Sequence, residues 1–318
     1  MNTLKERYPF MIGVCINLKS ITEHEELILR EFNSVTCDNA MKFNYRIMPD
    51  GTYDFEEADV LYKFALDNHI KMRGHVFVWH YDSEIEYFRK MNRQELLDEI
   101  RKYIHTVATR YPEIYAWDVV NEIIDKNADD YLRKSIFLDI IGPDYVELVF
   151  RIAREELGDH VKLIYNEDDE YNPQKVPKIL NYLKILVENG VPIDGVGLQC
   201  HLSPYESLDY YPTLFSGIRD LGLICHITEM EVSAYDWNQG WYQTCPPEIY
   251  EKQAEVYRTM FGYFEEYSDI IELVSFWSLS DAETWRDQCP VDNRKDWPSL
   301  FDMNDQPKKI YWELVEGH

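Results

Sequence analysis

Eight short, nearly uninterrupted apolar runs, each followed by a longer amphipathic stretch, constrain this chain more than any other feature. The runs fall at 11–16, 32–37, 71–79, 115–120, 161–165, 194–199, 224–228 and 271–277. They lack the strict apolar–polar alternation of a half-solvated sheet, which predicts parallel strands covered on their outer face. Helical patterns occupy 24–31, 55–68, 93–110, 144–157, 174–189, 211–221, 247–267 and 308–316. In 93–110, Leu96, Leu97, Ile100, Tyr103, Ile104 and Val107 share one face, with Glu99, Arg101 and Lys102 elsewhere. Strict alternation implies right-handed βα units, and eight of them account for a closed (β/α)8 TIM barrel, an α/β fold. An open doubly wound sheet would need a Gly-rich phosphate loop after the first strand, and GVCINLKS at 13–20 has no such spacing. With no linker, low-complexity tract or tandem repeat, residues 1–318 are expected to form a single barrel domain.

Charge narrows the partner. With 58 acidic against 32 basic residues, a formal charge of −26 repels nucleic acid and anionic lipid, so neither nucleic acid nor a membrane is expected as a partner. The run from Phe10 to Ile16 is too short to span a bilayer and has no small-residue cleavage site after it. Six cysteines show no CxxC spacing, and four fall in or beside strands, which fits buried thiols in a cytoplasmic protein; Cys245 and Cys289, in loops, could pair. The 24 Tyr and 8 Trp are more than a core of this size needs, and aromatic faces suit the apolar faces of sugar rings.

In a barrel, side chains just past the strand C-termini converge on one mouth. Here those positions carry Asn39 and Lys42 (second strand), His75, Trp79 and His80 (third), Asn121 and Glu122 (fourth), Asn166 (fifth), Gln199 and His201 (sixth), Glu229 and Glu231 (seventh) and Trp277 (eighth). Two glutamates meeting at a mouth can cleave a glycosidic bond with retention, one attacking the anomeric carbon and one protonating the leaving oxygen. Glu229, within reach of a hydrogen bond from His201, is the expected nucleophile, and Glu122 the expected acid/base, its proton retained because two nearby carboxylates resist ionising together. Asn121 could reach a sugar 2-hydroxyl. His75, His80 and His201 lack the spacing and carboxylate neighbours of a zinc site, so no metal and no cofactor are expected. Trp79, Trp277 and Trp285 are expected to serve as sugar platforms.

These residues resemble glycoside hydrolase family 10, the endo-1,4-β-xylanases, from about Gly13 to Tyr311. FNSVTCDNAMK, RGHVFVWH, WDVVNE, DGVGLQCH, TEMEV, and FW followed by Trp285 occur in the family's order, and LFD at 300–302 with Pro307 also fits. The resemblance implies xylan or xylo-oligosaccharide as substrate, Glu122 as acid/base and Glu229 as nucleophile. It also implies that Asn39, Lys42, His75, Trp79, Gln199, His201, Trp277 and Trp285 line the glycone subsites and the cleavage point. Departures cluster around the sugar-binding loops. Asp38 stands where the family usually has Glu, shorter by about 1.5 Å, and Ala40 replaces a second Glu. Tyr81 and Asp82 follow WH where a Gln is usual, Asp168 replaces a Tyr on the leaving-group side, and Glu231 replaces the Asp that orients the histidine. A remodelled cleft suited to short oligosaccharides is the expectation. The alternatives are a related retaining β-glucanase or β-mannanase, and a non-catalytic sugar-binding barrel.

Overall fold

The computed structural model describes residues 3–81 and 86–317. Its strands are β1 (Met11–Ile16), β2 (Ser34–Cys37), β3 (Lys71–Trp79), β4 (Ile114–Asn121), β5 (Lys162–Glu167), β6 (Gly195–Leu198), β7 (His201–Leu202), β8 (Ile224–Val232) and β9 (Ile271–Phe276). Each pairs with its neighbours in parallel. The ring runs from β1 through β6, then β8 and β9, and closes by β9 pairing with β1, as the alternation requires. The sixth strand, expected at 194–199, runs as β6 to Leu198; beyond it the chain kinks at Cys200, whose φ is +57°, and adds the short β7 alongside the end of β8.

Burial explains the uninterrupted apolar runs: β2, β6 and all but the first residue of β8 are buried, with helices covering the outside and side chains filling the inside. Close approach at the barrel wall depends on glycine in two places. A Cβ on Gly74 would overlap the Trp117 indole, and one on Gly197 would overlap the Asn166 side-chain amide. Charge also enters the wall. Arg73 and Asp118, both fully buried, form a two-point ion pair between β3 and β4, one contact being 2.7 Å.

The helix Arg93–Arg110 begins where its capping sequence dictates. Asn92 Oδ1 accepts from the backbone N–H groups of Gln94 and Glu95 at 3.0 and 3.2 Å, and Glu95 returns a bond to Asn92 N at 2.8 Å. Leu96, Ile100, Tyr103, Ile104 and Val107 are buried as the periodicity predicts. Glu99 departs from that reading: it is buried too, because its carboxylate accepts from Tyr53 Oη at 2.6 Å and Lys102 Nζ at 3.0 Å. Cys245 and Cys289 do not pair, and both are free thiols. Among the described residues no helix is long and apolar enough to cross a membrane.

Candidate active site

Three strands run further towards the mouth than the sequence pattern indicates, and each extension carries polar residues of the site. β4 includes Asn121, β5 includes Asn166 and Glu167, and β8 continues through Glu229 to Val232. Glu122 follows β4 in a left-handed conformation, φ +52°, with its N–H bonded to Asn166 O at 3.0 Å. That conformation is unfavourable for a residue with a Cβ and persists where its surroundings hold it. A cavity of about 360 Å³ at this mouth is lined by both glutamates and by Asp38, Asn39, Lys42, His75, Trp79, Asn121, Gln199, His201, Trp277 and Trp285. The loops after β5, β7 and β8 add Asp168, Tyr171, Glu206 and Trp237 to its wall.

The two glutamates meet different surroundings. Glu229, 5 % exposed, accepts from Asn166 Nδ2 at 3.0 Å on Oε1 and lies 3.2 Å from His201 Nε2 on Oε2. Burial pushes its carboxyl up, but the hydrogen bond and charge of His201, with His75 and Lys42 behind, outweigh that and hold it below the usual value. Glu122 accepts from Gln199 Nε2 at 3.0 Å and Asn121 Nδ2 at 3.1 Å. Its carboxyl is nonetheless raised, chiefly by burial and then by the Asp168 charge, with Glu229 adding to the effect. One carboxyl is therefore poised to ionise and the other to keep a proton.

Asn166, near the end of β5, ties the two together. Its Nδ2 also gives to Asn121 Oδ1 at 2.8 Å, and its own oxygen accepts from Thr228 Oγ1 at 2.7 Å. Asn121 is consequently engaged within the protein: its oxygen accepts from Asn166 and Gln199 and its nitrogen gives to Glu122, leaving one N–H for a sugar hydroxyl. Histidine orientation is equally settled. Asp118 holds His75 Nδ1 at 2.7 Å, and Glu231 holds His201 Nδ1 at 2.9 Å. Glu231 thus reaches the histidine despite its longer side chain, and it accepts from Ser278 Oγ at 2.6 Å, Arg286 Nε at 2.6 Å and Trp285 Nε1 at 2.8 Å. Burial disfavours the His201 cation, but Glu231 and Glu229 outweigh it and push His201 up to about 9.

The indoles are less free than sugar platforms need be. Lys42 Nζ sits 4.7 Å from the Trp79 ring centre, Tyr81 stacks on Trp79 at 5.1 Å, and the Arg286 guanidinium lies 4.6 Å from the Trp285 ring. Lys42 also bonds Asn39 Oδ1 at 2.9 Å. His80 lies 3.9 Å from Glu122 and is pushed down to about 4, chiefly by burial and by Arg133. Asp38 lines both the main cavity and an adjoining one of about 250 Å³ that also contains Asn17 and Glu283, whereas Ala40 is buried and lines neither. Asp82 lies outside the described residues. Asp168 is clamped by Lys175 and is 3.5 Å from Arg133, which hold its carboxyl down to about 2 against burial. Of the loop aromatics, Tyr235 is buried against Tyr242, while Trp237 is exposed at the cavity wall.

Sequence reading did not single out Arg73, Asp118, Lys175, Glu170 or Arg286. A signal existed for the first two, as lone charges inside apolar strands; the others are legible only once the loops close over the mouth.

Sequence comparison decides the family. The glycosyl hydrolase family 10 model matches residues 1–317. The chain belongs to glycosyl hydrolase family 10. Endo-1,4-beta-xylanase A of Caldicellulosiruptor saccharolyticus is 39 % identical over 318 residues, covering 96 % of this chain and 92 % of that protein. An endo-1,4-beta-xylanase of Geobacillus stearothermophilus is 35 % identical, covering 96 % and 95 %. Among solved structures, a mutant family relative in complex with xylotriose superposes with a TM-score of 0.95 at 35 % identity, covering 99 % of this chain and 100 % of that one. The Caldicellulosiruptor owensensis endo-1,4-beta-xylanase gives 0.94 at 37 %, covering 99 % of each chain.

Proposed function

We propose that this family 10 chain is a retaining endo-1,4-β-xylanase in which Glu229 is the nucleophile and Glu122 the acid/base. The observation that carries the assignment is the opposite bias of the two carboxyls: His201 and Asn166 favour ionised Glu229, while burial and Asp168 favour protonated Glu122. A Glu229 oxygen attacks the anomeric carbon as the C1–O bond to the leaving sugar breaks, and Glu122 gives its proton to the departing oxygen. Ionised Glu122 then takes a proton from water, the water oxygen attacks C1, and Glu229 leaves, so two inversions give net retention. Xylanase names among the relatives and the bound xylotriose of one structural neighbour support a xylo-oligosaccharide substrate.

Short oligosaccharides are the preferred substrates in this reading. Asp38, at the cavity wall, stands where the family pattern has a longer carboxylate, which weakens the distal glycone subsites. Initial rates on xylobiose, xylotriose, xylotetraose and xylan test this: a plateau by xylotriose or xylotetraose is expected, and a steep continued rise to polymer would refute it. Paired assays on aryl xylobioside and aryl cellobioside test the pentose preference against a β-glucanase reading. Binding without turnover of any activated aryl xyloside would favour a non-catalytic barrel. The continuous hydrophobic core supports one barrel domain, and the six unpaired thiols support a reducing compartment, the cytoplasm.

A further inference from the structure

We propose that Glu170 is a positioning residue for both halves of the catalytic machinery, its buried carboxyl oxygen fixing the kink that aims Gln199 at Glu122 and His201 at Glu229. The inference rests on the roles given above to those two glutamates. Glu170 lies in the loop after β5 and is 1 % exposed. One of its oxygens, Oε1, accepts the backbone N–H of Gln199 and, at 3.3 Å, that of Cys200. The Gln199 N–H also points to Glu167 O at 3.0 Å, so the end of β5 and the loop after it both hold this turn. Cys200 is the left-handed residue, φ +57°, between β6 and β7. A non-glycine residue stays in that conformation when its surroundings over-determine it, and one buried acceptor oxygen shared by two consecutive N–H groups does so.

The consequence is geometric. On one side of the kink Gln199 Nε2 reaches Glu122 Oε1 at 3.0 Å; on the other His201 Nε2 reaches Glu229 Oε2 at 3.2 Å. The catalytic steps themselves make no use of Glu170. The groups facing it are Asp168 and Tyr171 from its own loop, Lys175 from the helix Lys175–Glu188, Cys200 from the kink, Tyr211 from the helix Tyr211–Asp220 and Cys225 from β8. Burial, with Asp168 adding, pushes the Glu170 carboxyl up to about 8.

Glu170→Ala and Glu170→Gln separate this role from a structural one. The alanine variant should lose roughly tenfold in kcat with little change in KM, the scale of one buried hydrogen bond. Its pH profile should move in a specific direction. Loosening His201 removes what holds Glu229 down, so the acid limb of kcat/KM rises in pH. Loosening Gln199 removes a donor that stabilises ionised Glu122, so the alkaline limb rises as well. Glu170→Gln keeps an acceptor oxygen and should restore most of kcat and both limbs. Unmoved limbs in Glu170→Ala, or no rescue by glutamine, would overturn the proposal. Should the alanine variant not fold, Glu170→Asp draws the carboxylate back by about 1.5 Å and must shift both limbs the same way; unmoved limbs there also refute it. If Glu229→Ala and Glu122→Ala behave as the mechanism requires while the Glu170 variants shift nothing, this inference alone fails.

Discussion

Glu231→Gln removes one charge from the most heavily bonded carboxylate of the cleft, and the consequences divide cleanly between stability and titration. Glu231 is fully buried; burial pushes its carboxyl up, but Arg286, His201 and Ser278 outweigh this and hold it at about 2, against an ordinary 4.5. That difference corresponds to about 3 kcal/mol of folding stability. Because the folded value lies below the unfolded one, this stability is fully present above pH 4.5 and is lost as pH falls through about 2. The variant also leaves the buried Arg286 guanidinium without its anion, and breaking such a pair costs about 3–5 kcal/mol. For a chain of 318 residues each kcal/mol shifts Tm by about 1.5 °C, so a loss of about 3–5 kcal/mol should lower Tm at neutral pH by roughly 4–8 °C. The deficit relative to wild type should shrink between pH 4.5 and 2, where wild type loses the same contribution. The substitution also removes the charge that pushes His201 up to about 9, so the imidazole should titrate closer to its ordinary 6.5. Calorimetry across pH and NMR titration of the His201 ring read the two effects separately. A neutral-pH Tm within about a degree of wild type, or a His201 that still titrates as in wild type, would refute the reasoning.

The remaining expectations follow from the same site. Glu229→Ala should abolish turnover of every substrate, whereas Glu122→Ala should lose about 10²- to 10⁴-fold on unactivated xylo-oligosaccharides and far less on aryl glycosides whose leaving group needs no proton; equal losses on both substrate types would overturn the role assignment. Gly197→Ala should lower kcat while the chain still folds, because the added Cβ displaces the Asn166 amide from its bonds to Glu229 and Thr228; a variant with wild-type kcat would show that the amide is not needed there.

Much of this arrangement is written in local pattern. The alternation of apolar runs and helical stretches locates every barrel strand, because each must be covered on both faces, and the residues past those runs are the ones that meet at the mouth. The pairing of His201 with Glu229 follows from their adjacency on neighbouring strands. Where pattern fails, a residue's fate depends on a partner distant in sequence. Glu99 sits at a solvent-type position yet is buried, because Tyr53 comes from 46 residues away to satisfy it. The sixth apolar run stops at Gln199, and the kink at Cys200 with β7 beyond it becomes visible only with Glu170 beneath the Gln199 and Cys200 N–H groups. Asn121 looks poised for a sugar hydroxyl in sequence, but Asn166 and Gln199 claim its oxygen across the barrel. Cys245 and Cys289 both lie in loops, and loop placement carries no information on separation; neither is bridged.

Covalent trapping tests the central claim most directly. A 2-deoxy-2-fluoro-β-xylobioside with a good leaving group should glycosylate the protein once per chain as its aglycone departs, and peptide mass spectrometry should find the glycosyl ester on Glu229. With ordinary substrate, the first product seen by proton NMR should carry the β anomer. A label on any other residue, or an α-configured first product, would contradict the account.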